Sequence, residues 1–120
     1  MTKRQFRQSL TFNDYKWMLQ AYGIIASFYS AVGNQKKCEL SYVKYVQLIE
    51  RFYHQDSLEA SNAYFLVGIY YFEEQMTHKS VACFRKALAI RQSKFSPLHA
   101  SCGDCLLNLG ILYKLRGAPA

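Results

Sequence analysis

The sequence predicts an all-α protein built of antiparallel helix pairs, and three observations carry that expectation. Apolar residues recur three and four apart along most of the 120 residues, which is the spacing of one helix face. The pattern then repeats: "YGIIASFY" (22–29), "YFLVGIYY" (64–71) and "LLNLGILY" (106–113) each begin 42 residues after the last. Finally, the chain holds only 2 prolines and 6 glycines while 51% of it is hydrophobic, so long helices can run uninterrupted and have a core to bury.

Each copy opens on a large residue (Tyr22, Tyr64, Leu106), followed three places on by Ile25, Val67 or Leu109. A small residue comes next (Ala26, Gly68, Gly110), then a tyrosine (Tyr29, Tyr71, Tyr113). The match continues downstream, pairing Cys38 with Ser80, Tyr42 with Phe84 and Tyr45 with Ala87. The small residue has a physical purpose: two helices that approach closely need a missing side chain, and a neighbouring aromatic fills the gap.

The first unit, 12–53, is expected to hold a helix A from about Asp14 to Ala31, capped by Asn13 or Asp14. Gly33-Asn34 provides the turn, and helix B follows from Gln35 to Tyr53. In the second unit, 54–95, Asp56 or Ser57 opens helix A, "EQMTHK" (74–79) turns the chain, and helix B ends near Phe95. The third, 96–120, starts at Ser96-Pro97, because proline suits the first turn of a helix, and its helix A reaches about Arg116 before a turn at Gly117. Residues 1–11 fit the tail of a preceding helix B, since "RQS" at 7–9 recurs at 91–93, twice the period away. That accounts for the basic start better than a presequence does. The last helix, 99–116, keeps Leu106, Leu109, Leu112 and Leu115 with no helix B of its own. The chain is therefore expected to be a slice of a longer array or to be completed by another subunit, with self-association through this helix as one form of completion.

The pattern Y-x-x-V-G-x-x-Y followed by S-x-x-x-F-x-x-A, from Tyr64 to Ala87, resembles the tetratricopeptide signature. Tyr64 stands at its tryptophan place and Ser80 at its first alanine place. The family's usual unit is about 34 residues; the longer period here resembles the long-helix repeats of kinesin light chains. Departures are Gln75 in place of the turn glycine, Tyr45 where alanine is usual, and Ala26 in place of glycine. The resemblance implies a right-handed superhelix acting as a non-enzymatic scaffold or adaptor, with helices A lining a concave groove and helices B forming the convex side.

Mapped onto this sequence, the resemblance puts Gln20, Ser27 and Ser30 in the groove in the first unit. It adds Asn62, Phe65, Ile69, Phe72 and Glu73 in the second, and Asp104, Leu107, Asn108, Ile111, Lys114 and Leu115 in the third. Such a surface would take an apolar helix or an extended peptide; alternatively, these residues pack against adjacent helices. The places that clamp a chaperone's C-terminal carboxylate in some tetratricopeptide domains carry Gly23, Ser27, Leu66, Asp104 and Asn108 here, with no cation to pair. Of the asparagines that hold peptide backbone in kinesin-light-chain grooves, only Asn108 matches.

Charge is uneven in a chain of net +7. Helices B hold Lys36, Lys37, Lys44, Arg51, Lys79, Arg85, Lys86, Arg91 and Lys94 against only Glu39 and Glu50. A basic convex face of this kind either meets an acidic partner, such as a microtubule surface or an acidic helix, or is simply solvated. The alternative function is binding of RNA or another polyanion, although the polar base-reading pairs of a helical-repeat RNA reader are not evident.

Catalysis has little support. His54, His78 and His99 fall near helix ends, away from any nucleophile. His99, Cys102 and Cys105 read H-x-x-C-x-x-C, but steps of three on one helix turn back by about 60° each and do not surround a tetrahedral metal. The cysteines read better as small buried hydrophobes. No catalytic, cofactor or metal site is expected. No apolar run approaches the ~20 residues of a membrane span. Four cysteines without a secretory signal point to a reducing, cytoplasmic setting, and the kinesin-light-chain resemblance adds a cytoskeletal or ciliary association.

Overall fold

The computed structural model describes residues 11–116. Five helices account for most of them: α1 (Phe12–Ala31), α2 (Gln35–Tyr53), α3 (Leu58–Glu73), α4 (Thr77–Lys94) and α5 (Ala100–Leu115). No strand occurs among the described residues, and the fold is all-α. The expectations for residues 1–10 and for the Gly117 turn lie outside the described residues. Two compact units divide between Phe52 and Tyr53, and each is described by itself.

Local chemistry explains the helix ends. The cap of α1 is Thr11, not Asn13 or Asp14. The Thr11 hydroxyl accepts from the Asp14 N–H at 3.2 Å, and the Asp14 carboxylate accepts from the Thr11 N–H at 2.8 Å and from its hydroxyl at 2.9 Å. Asp14 is thus the return partner of a capping box. The Thr11 N–H, then the Thr11 hydroxyl, hold its carboxyl below the usual carboxylate range. Ser57 caps α3 by accepting from the Ala60 N–H at 3.1 Å, and Asn34 does the same for α2 through the Lys37 N–H at 3.2 Å.

The turns after α1 and α3 repeat one design, 42 residues apart. Gly33 N–H donates to Ser30 and Asn34 N–H to Tyr29; Gln75 N–H donates to Phe72 and Met76 N–H to Tyr71. These are paired bonds of the Schellman type, which require a left-handed residue after the helix. Gly33 supplies it at φ 78°, and Gln75 supplies it at φ 61° without glycine's freedom. The helix expected from Ser96-Pro97 begins later, at Ala100. Ser96 to His99 close a turn instead, with His99 N–H donating to Ser96 at 2.9 Å and Pro97 at the turn's second place. His99 stacks on Phe95 at 4.1 Å and caps α5 through Nδ1, which accepts from the Ser101 N–H.

In the first unit α1 and α2 run antiparallel. Phe52, at the end of α2, packs against Tyr15 at 4.3 Å and Phe12 at 5.0 Å at the start of α1. At the other end, the Cys38 thiol donates to the Ala26 carbonyl at 3.2 Å. The second unit repeats that bond one period later, as Ser80 Oγ donates to the Gly68 carbonyl at 2.8 Å. Four residues on, the fully buried Phe84 ring covers Gly68: a Cβ there would meet ring atoms at 3.0–3.2 Å. Phe84, Val81, Leu109 and Leu112 form the core that joins α4 to α5, and burying a side chain the size of Phe84 contributes about 2–3 kcal/mol.

The glycines at one repeat position therefore differ in what surrounds them. Nothing lies within 4 Å of a Cβ built on Gly110. Gly110→Ala is expected to raise stability by roughly 0.5–1 kcal/mol through helix propensity. Gly68→Ala is expected to lower it by about 1 kcal/mol or more, because the enclosed Phe84 ring has to shift. Urea unfolding of the two variants checks the opposite signs.

Candidate functional site

The helix-A residues mapped to a groove do not share one environment. Phe65, Ile69 and Phe72 are half-buried and pack against the Val81, Phe84, Leu109 and Leu112 core, with Phe65 edge-on to Phe84 at 5.3 Å. Asn62, Glu73, Asp104 and Lys114 are exposed. Asn108 is half-buried and spends its amide on its own helix, donating to the Asp104 carbonyl at 2.8 Å. Among the mapped residues the open apolar stripe is that of α5: Leu107 is 65% exposed, Ile111 40% and Leu115 71%. These three stand four residues apart, one above the other on the helix. In the first unit Gln20 and Ser27 border a shallow depression with Gly23 and Ile24, and Ser30 is exposed. Sequence reasoning passed over Trp17, Ile24 and Phe28, which are exposed on α1.

The basic residues are also divided. Lys37 lies over the Tyr29 ring at 5.5 Å and Lys79 over Tyr71 at 5.6 Å, the same cation–π pair one period apart. Lys86 lies over Tyr64 at 5.4 Å. Arg85 lies over Tyr113 at 5.4 Å and donates to its hydroxyl, while Arg116 approaches the same ring at 5.8 Å. Tyrosines of helices A thus hold cations of helices B in place. Lys36, Lys44, Arg51 and Lys94 are exposed. Lys44 and Arg51 border a cleft of about 270 Å³ between α1 and α2, lined by Tyr15, Met18, Tyr22, Gln47 and Leu48.

Arg91 is not on the basic face. It is 6% exposed and bridges three helices. Its guanidinium donates to Asn62 Oδ1 at 3.1 Å, the Ser101 carbonyl at 2.9 Å, Cys105 Sγ at 3.3 Å and Ser61 Oγ at 3.4 Å. It also stacks over Phe65 at 4.8 Å. The reason is phase: position 91 lies two turns beyond Phe84, on the same inward face as Ala87. A count of charges along helix B cannot see that.

Cys102 and Cys105 are fully buried. Burial pushes the Cys105 thiol up, with Arg91 opposing the shift, and burial pushes the half-buried Cys83 up against a smaller pull from Lys86. His99 is exposed and serves as a cap. Among the described residues no group of three or more His, Cys, Asp or Glu side chains is arranged to hold a metal ion. Nor is any helix among them long and apolar enough to cross a membrane.

Two outcomes follow from these contacts. Arg91→Lys keeps the charge but not the fork that spans Asn62, Ser61 and Ser101, so urea denaturation is expected to show a loss of about 1.5–3 kcal/mol. A thiol reagent at neutral pH is expected to label Cys83 before Cys102 and Cys105. Because burial raises the thiol pKa of Cys83 and Cys105, their labelling rates should keep climbing above the pH at which an ordinary thiol is already ionised.

No family model matches the chain, and no curated protein matches it. Among solved structures, the crystal structure of BtubC (BKLC) from P. vanneervenii is similar in fold, with a TM-score of 0.72. The match has 19% sequence identity and covers 89% of this chain but 41% of that one. The chain therefore spans about two-fifths of the length of the structure it resembles, and the likeness is one of helical fold.

Proposed function

We propose that this chain is a non-enzymatic scaffold of the tetratricopeptide type, which binds a helix or peptide of a partner protein within a larger assembly. One observation carries the reading: Leu107, Ile111 and Leu115 form an uncovered apolar stripe on α5, while the buried faces of α3, α4 and α5 hold the helices in register beneath it. A row of aliphatic side chains four residues apart is complementary to the apolar face of another helix. The exposed Asp104 and Lys114 flank that row and set the orientation of the bound segment. The fold shared with BtubC supports a helical-repeat architecture. The resemblance of the repeats to those of kinesin light chains supports a cytoplasmic assembly beside the cytoskeleton.

The expected outcome for the paired substitution Leu107→Glu and Ile111→Glu is loss of the proteins captured from source lysate by the unaltered chain. The melting temperature should stay within a few degrees of the parent, because both side chains are exposed. A large fall in melting temperature would assign the stripe to internal packing and sink the reading. A photo-crosslinking residue at position 111 identifies the captured segment.

A further inference from the structure

α4 packs against α3 and α5 through its inward side, where Phe84 is fully buried and Arg91 bonds both helices. At 100° per residue, Ala82 and Ala89 lie about 150° round the helix from Phe84 and so point directly outward. Both are exposed. The opening does not come from an end of the chain, because α4 has α3 and α5 packed on it. The corresponding residues of α2, Leu40 and Gln47, are exposed as well.

Cations stand on both sides of this outward line. Arg85 falls about 50° to one side of it, and Lys86 and Lys79 about 50–70° to the other. α4 holds no Asp or Glu, and neither Arg85 nor Lys86 is paired with a carboxylate among the described residues. Tyrosines of the adjoining helices decide where the charges sit. Lys79 and Lys86 reach Tyr71 and Tyr64 on α3, whereas Arg85 reaches Tyr113 on α5, where Arg116 joins it. The long side chains are thereby drawn apart, and the helix between them is short-chained at Ala82 and Ala89. A ring holds a cation without neutralising it as a carboxylate would. It also restricts the side chain before a partner arrives, which lowers the entropy that binding costs. The first unit does not repeat the device: Val43 stands at the place of Arg85 and Leu40 at that of Ala82.

Two rows of fixed positive charge beside a line of small residues complement a helix with carboxylates on both flanks of a close-packing seam, as e and g positions pair across a coiled coil. Single-stranded nucleic acid fits less well, because it needs open aromatic faces for its bases. Here Tyr64 and Tyr71 are 5% and 6% exposed, and two arginines lie over Tyr113. A second copy of a chain of net +7 is repelled.

We infer that the outward face of α4 docks an acidic amphipathic helix of a partner protein. Its seam lies on Ala82 and Ala89, and its carboxylates meet Arg85 along one edge and Lys79 and Lys86 along the other. This face is on a different helix from the Leu107 stripe and stands whether or not the stripe binds a peptide.

The test uses the 120-residue chain and a labelled, stapled helical peptide of about 20 residues, with alanines along one seam and glutamates on both flanks. Fluorescence anisotropy is expected to show binding at least about tenfold tighter than for the same residues in an order that scatters the glutamates round the helix. Arg85→Gln with Lys86→Gln should weaken binding about tenfold. Ala89→Arg is the decisive variant, since it obstructs the seam while adding a cation. It should weaken the peptide about tenfold or more and leave the melting temperature within a few degrees. Leu107→Glu should bind the peptide as the parent does. Absence of peptide binding at about 1 mM overturns the inference, and so does equal binding of the scattered peptide. Tighter peptide binding by Ala89→Arg, or tighter binding of oligouridine than of the peptide, overturns it in favour of a polyanion. A dimer in sedimentation that Ala89→Arg dissolves overturns it in favour of a second copy.

Discussion

One short bond sets the geometry of both helix pairs: a side chain near the start of the second helix donates to a backbone carbonyl of the first, twelve residues earlier. Ser80 reaches Gly68 in this way at 2.8 Å, and Cys38 reaches Ala26 at 3.2 Å. A side chain as short as serine or cysteine can reach a helical carbonyl only when the two backbones are close. That closeness demands a small residue at the contact, and glycine or alanine meets the demand. The Phe84 ring then occupies the space that the absent side chain leaves over Gly68. Hydrogen bond, small residue and aromatic cover form a single constraint, so none of the three can change size independently.

Tyrosine extends the constraint to charge. Tyr29 and Tyr71 each present a ring to the lysine just before the donor residue, so the first turn of each second helix is bonded to the carbonyl and held at the ring. Much of the basic character of α4 is thereby engaged by aromatic rings, with Lys79, Lys86 and Arg85 all so placed. Arg91 goes further and becomes interior. Its fork ties α3 to α5 through Asn62, Ser61 and Ser101, surrounding a buried charge with dipoles. What holds the third helix on the second unit is therefore polar as well as apolar, and Phe65, Ile69 and Phe72 belong to that junction.

α5 stands out for the same reason. It uses Cys102, Cys105, Leu109, Leu112 and the half-buried Tyr113 against its neighbours and leaves Leu106, Leu107, Ile111 and Leu115 open. Its exposed side divides into the Leu107 stripe and the Gly110 face, which differ in chemistry. The stripe is aliphatic and suits shape-matched burial. The Gly110 face carries free space over the glycine and two arginines at Tyr113.

The sequence by itself determined the helical period, the 42-residue repeat and the small-residue positions, because these follow from local geometry and recur where an observer can compare them. It also indicated the turn places, since Gln75 takes the left-handed conformation that Gly33 takes one unit earlier. The start of α5 was less legible: Ser96-Pro97 reads as a helix opening, and the structure shows a turn closed by His99 N–H on Ser96, with His99 stacked on Phe95. Tertiary structure alone decided which mapped residues are open. Phe65 and Leu107 have the same apolar character in sequence, yet α4 and α5 half-cover one and leave the other free. Arg91 counts as one more cation until the rotation of α4 points it inward. The identity of neighbours across a helix interface is set by packing, and packing depends on residues far apart in the chain.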